Sequence, residues 1–129
     1  MGVRTTSEVA IVSDRVVLTM PTDARLRSVA TLVLGGLGSR LDLPFDRMDD
    51  LQLAVLSALE ATDGGEVTLE VDADESELRL AIGSVRAGAG EDDALMRVLS
   101  RLVDEVDHER REGAEWLMFR LSRTRRSSN

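Results

Sequence analysis

The sequence contains no cysteine, no lysine and no tyrosine. Without cysteine there are no disulfides, zinc–thiolate sites, iron–sulfur clusters or thiol nucleophiles. Without lysine there is no P-loop lysine, no Schiff base and no Ser–Lys dyad, and all 16 basic residues are arginine. A single histidine, His108, excludes a histidine-rich metal site and leaves any Ser-His-Asp triad only one possible imidazole. Phe45, Trp116 and Phe119 are the only aromatic residues, too few for a base-stacking platform.

What is present is acidic and apolar. A net charge of −8 disfavours contact along a nucleic-acid backbone. No apolar run reaches the roughly 18–20 residues of a membrane span, and residues 1–13 lack the apolar segment of a signal peptide. These features predict a soluble, cytoplasmic protein that binds neither membrane nor nucleic acid. The 129 residues suit one domain, and 43% hydrophobic content fills one core without metal or disulfide.

Periodicity organises the chain. Residues 8–20 are strand-like, with Val9, Ile11 and residues 16–18 split by a turn at Ser13-Asp14. Thr22 or Asp23 can cap a first helix on which Leu26, Val29, Ala30, Val33 and Leu37 recur at helical spacing. Gly35, Gly36 and Gly38 each lower helix propensity by about 1 kcal/mol, so this helix is expected to end or loosen there. A second helix begins at Asp46 and buries Met48, Leu51, Val55, Ala58, Leu59 and Thr62, with Asp63-Gly64-Gly65 as its stop.

Val67, Leu69 and Val71, then Leu78, Leu80 and Ile82, alternate with polar residues as a hairpin turning at 72–76. Residues 83–90 read as a small, flexible connector. Asp92 or Asp93 caps a third helix directing Leu95, Val98, Leu99, Leu102, Val103 and Val106 inward. Residues 115–122 form a last strand, with Trp116, Met118 and Arg120 on one face and Leu117, Phe119 and Leu121 on the other. Residues 1–7 and 123–129 are expected to be loose termini. The order is β(β)–α–α–β–β–α–β, an α+β two-layer sandwich with three helices on one face of a mostly antiparallel sheet.

Three phrases in this order resemble a known family. They are Leu18-Thr-Met-Pro21 leading into Leu26-Arg-Ser-Val29, then Asp49-Asp-Leu-Gln-Leu-Ala-Val55, then Leu102-Val-Asp-Glu-Val106 followed by Glu112-Gly113. Together they are similar to the histidine-kinase-like (GHKL) ATPase superfamily, in its branch of anti-sigma-factor serine kinases of the RsbW and SpoIIAB kind. The resemblance covers residues 18–123 and implies that family's fold. It also implies Mg-ATP as cofactor, a sigma factor or STAS-domain antagonist as partner, and a possible homodimer.

The nucleotide positions depart from the family pattern. The family's base falls on Ser57 and its magnesium-holding asparagine on Ala61, so neither a carboxylate base nor an oxygen ligand is present there. The aspartate that reads adenine is Arg86, whose guanidinium only donates. Gly88 and Gly90 keep the glycine pair, but only residues 91–93 stand where the family has an ATP lid. Gly113 is followed by Ala114 and Glu115 in place of threonine. The resemblance with these losses implies a binding module with a degenerate ATP site and no turnover. The alternative is a divergent Mg-ATP-dependent serine-protein kinase whose metal moves to Glu60 and Asp63, three residues apart and on one helix face.

Other residues carry weaker signals. His108 in an acidic stretch reads as a solvent-facing imidazole, and Ser57 as a small packing residue without a nucleophile elbow. Trp116 reads either as an interface anchor or as sheet-face packing. Arg120, Arg123, Arg125 and Arg126 are either a solvated group or a contact for an acidic partner. Arg25 and Arg27, on the helix that the family uses for partner contact, are the candidate partner-binding residues, with surface ion pairing as the alternative. The family's own arginine position falls on Ser28. A scaffold with an unrelated partner is a third possibility.

Overall fold

In a computed structural model, residues 8–12 and 15–124 are described. Strands β1 (Glu8–Val12) and β2 (Arg15–Pro21) precede helices α1 (Leu26–Arg40) and α2 (Phe45–Leu59). Strands β3 (Glu66–Ala73) and β4 (Glu77–Val85) follow, then a 3-10 turn at Ala89–Glu91 and helix α3 (Asp93–Leu102). Strands β5 (Glu105–Arg111) and β6 (Ala114–Ser122) complete the chain. The sheet order is β1-β2-β3-β4-β6-β5, and every pairing is antiparallel.

Alternation divides the sheet into two faces. Leu18, Met20, Val67, Leu69, Val71, Leu80, Ile82, Leu117, Phe119 and Leu121 point into one core with Leu26, Ala30, Leu34, Leu51, Val55, Ala58 and Leu99 from the helices. All three helices pack on that face, giving the α+β two-layer sandwich expected from the periodicity. The opposite face carries a web of cross-strand charges. Arg15 reaches Glu70 and Asp72, Arg79 reaches Asp72, and Arg120 reaches Glu77 and Glu105.

Several expectations need correction. Helix α1 runs through all three glycines to Arg40, because tertiary packing outweighs propensity: the Met48 side chain lies against Gly38 where a Cβ would stand. Residues 104–112 contain strand β5, so Val106 packs on the core from a strand, not from α3. Val98 is 46% exposed, turned away from the core it was expected to join. Thr62 lies beyond α2, bridging Val85 and donating its hydroxyl to the Leu59 carbonyl. The 83–90 connector is ordered: β4 extends to Val85, and Ala89 and Gly90 are buried. Arg123 is not loose, since it donates to the carbonyls of Asp74 and Leu41. The turn at Ser13-Asp14, the start at 1–7 and the tail at 125–129, with Arg125 and Arg126, lie outside the described residues.

Candidate functional site

The residues that the resemblance assigns to nucleotide converge at the end of α2 and the end of β4. Ala61, buried just past α2, accepts the Arg86 backbone N–H through its carbonyl at 2.7 Å. One helical turn earlier is Ser57, half-buried on α2. The Arg86 carbonyl accepts the Ala89 N–H, and Gly88 adopts the left-handed conformation at φ 87° that glycine tolerates best. This starts the 3-10 turn and aims two successive glycine N–H groups at one point.

That point is occupied by Glu115 of β6. Its two carboxylate oxygens accept the Gly88 N–H at 3.0 Å and the Gly90 N–H at 2.8 Å. Glu115 is 8% exposed, and these two backbone donors hold its carboxyl below the ordinary glutamate value of 4.5. Nearby backbone N–H donors form a small anion-binding concavity, and here the anion comes from the chain itself. His108 on β5 lies over Gly90, with Nδ1 3.7 Å from a Glu115 oxygen. The lone histidine is exposed, as expected, with 39% of its side chain open to solvent, and one side of its ring packs on the glycine turn beside Glu115.

Arg86 turns outward and pairs with Asp92 at 2.8 Å. Asp92 also caps α3 by accepting the Leu95 N–H, and these donors hold its carboxyl below the usual aspartate range. Glu60 and Asp63 serve different partners. Glu60 pairs with Arg27 of α1 at 3.3 Å, while Asp63 accepts the Ser84 hydroxyl at 2.6 Å. Among the described residues no group of three or more histidine, aspartate or glutamate side chains is arranged to hold a metal ion. Arg25 pairs with Asp23 at 3.1 Å, so both candidate partner-binding arginines carry surface ion pairs.

Trp116 packs across Gly83, and the Arg111 guanidinium stacks over its ring at 4.3 Å. Arg120 is engaged by Glu77 and Glu105. No protein-family model matches the chain and no curated protein matches it significantly. The class defined by fold and site is therefore an α+β two-layer sandwich with an internally filled glycine turn. No helix among the described residues is long and apolar enough to cross a membrane.

Glu115 and Arg47, a buried arginine on α2, were missed by the sequence reading, although parity could have found both. Glu115 shares strand parity with Leu117, Phe119 and Leu121, so it is a carboxylate on the apolar face. Arg47 shares the helical stripe of Leu51, Ala54 and Ala58.

The depressed Glu115 ionisation gives a pH signature. A carboxyl whose folded value lies below its unfolded value stabilises the fold above the unfolded value and loses that contribution as pH falls through the folded one. Glu115→Gln is expected to lower stability by about 2 kcal/mol at neutral pH. The deficit should shrink as pH drops below 4.5. Urea unfolding of both proteins across that range measures it, and a deficit independent of pH would assign the loss to shape alone.

Proposed function

We propose that this chain is a regulatory protein-binding module. It keeps the frame of an anti-sigma serine kinase without turning over ATP, and it acts in the cytoplasm by sequestering a sigma factor or a STAS-domain antagonist. The observation that carries this reading is the Glu115 carboxylate on the Gly88 and Gly90 N–H groups. Donors that a nucleotide-binding turn would offer to a ligand are engaged by the fold. Ser57 and Ala61 support the reading further, since neither supplies a carboxylate base or a side-chain carboxamide or carboxylate oxygen for a hard cation. The kinase alternative requires Glu60 and Asp63 to converge on magnesium, and their bonds to Arg27 and Ser84 draw them toward different elements.

Calorimetric titration with Mg-ATP and Mg-ADP tests this. The expected result is no binding heat and no thermal shift at millimolar nucleotide. Micromolar binding would overturn the reading and restore the kinase.

A further inference from the structure

The two surfaces of the sandwich differ in a way that locates a docking face. On the open face of the sheet, Arg15, Arg79, Arg111 and Arg120 each reach a carboxylate on another strand, so these four arginines are engaged within the sheet. The four large hydrophobic side chains exposed among residues 15–124 all lie on helices: Leu32 at 75%, Phe45 at 91%, Leu53 at 53% and Val98 at 46%. Two of them share α2. Phe45, Asp49 and Leu53 follow one another at four-residue spacing and line one stripe, with Asp46 exposed beside Phe45. The only base within α2, Arg47, is buried and paired with Asp50, so the charges this helix shows solvent are acidic.

We infer that the outward stripe of α2, built on Phe45, Asp49 and Leu53, docks an amphipathic helix with an apolar face and basic flanks, supplied by a protein partner. This rests on the protein-binding reading and adds the surface and the partner's chemistry to it. An apolar stripe takes up apolar side chains of the incoming helix, and the carboxylates select lysine or arginine beside them. Phe45 is the anchor: it is the most exposed large hydrophobic side chain described, and its ring reaches solvent from the first turn of a helix fixed to the core by Leu51, Val55 and Ala58.

The probe is a fluorescein-labelled peptide of about 18 residues, a length of about 27 Å as a helix. Leucine forms one face and lysine the other, and a counterpart carries glutamate in place of lysine. Fluorescence anisotropy is expected to show micromolar binding of the lysine peptide and none of the glutamate peptide. The double variant Phe45→Ser with Leu53→Ser keeps the net charge and removes only exposed apolar atoms. An unchanged melting temperature would establish that it folds, and affinity should fall at least about tenfold. Asp49→Asn should weaken binding less.

Equal affinity of the double variant, or no binding to the wild type, would overturn the proposal. So would a dimer of the free chain in sedimentation that the two serines dissolve, since a second copy would then be the occupant. If a transcription regulator captured by the wild type is retained by the double variant, this docking stripe falls while the protein-binding reading stands. Absence of both peptide binding and any captured regulator would count against both.

Discussion

Arg47→Ala is expected to destabilise the protein by about 3 kcal/mol, and Arg47→Met by less than about 1 kcal/mol. Arg47 is 2% exposed, with Nη2 bonded to Asp50 at 2.5 Å and Nη1 at 3.9 Å from Asp104. Its Nε and Nη1 have no hydrogen-bond partner among the described residues. The guanidinium therefore loses water at two nitrogens without full compensation, which offsets much of the ion-pair gain. The volume is another matter. The side chain fills the space between α2 and the α3–β5 junction, and alanine would leave a cavity there, whereas methionine nearly fills it. Asp50 and Asp104 retain about a quarter of their side-chain exposure, so water can take over their solvation. Urea unfolding of both variants decides the matter, and equal losses would show that charge, not packing, holds this junction.

Gly83→Ala is expected to cost about 2–3 kcal/mol. A Cβ at residue 83 would stand 2.2 Å from Cδ2 and 2.3 Å from Cε2 of Trp116, the two atoms of the bond its rings share. That part of the side chain is rigid, so the whole ring must move. Moving it breaks the Arg111 stack and uncovers the sheet between β4 and β6. In a Trp116→Ala background the same change should cost less than about 1 kcal/mol, because the obstacle is gone. A thermodynamic cycle from denaturant unfolding measures the coupling. Independent, additive losses would mean that Gly83 is required by its backbone and not by the indole.

These positions show which parts of the structure were legible in the sequence. Strands β3 and β6 could be read because one face is core and the other is open to solvent, so Val67-Leu69-Val71 and Leu117-Phe119-Leu121 keep strict alternation. Strand β5 has no such signature. It is a sheet edge whose residues are exposed or half-buried, and a charged edge resists pairing with other chains. Its single apolar residue, Val106, fell in phase with the apolar residues of α3 and was drawn into that helix. The glycines of α1 misled in the opposite sense, because Met48 approaches from 10 residues downstream of Gly38, a contact that no local propensity encodes.

The candidate site was legible only in part. The positions of Ser57, Ala61, Arg86, Gly88 and Gly90 came from the resemblance, and the structure gathers the ends of α2 and β4 at one place. What fills the glycine turn came from another strand. Glu115 is 25 residues beyond Gly90, and only strand parity marks it as inward. His108 reaches the same turn from β5, the strand that the sequence concealed.

The amide resonances of Gly88 and Gly90, followed by NMR during acid titration and during addition of Mg-ATP, test the central claim most directly. Both amides should shift together with a single ionisation whose midpoint lies below 4.5, as Glu115 takes up its proton and releases the two N–H groups. Neither should move when millimolar Mg-ATP is added at neutral pH. Amides that ignore the acid titration and shift on nucleotide addition would contradict the account, because the glycine turn would then be open to ligand.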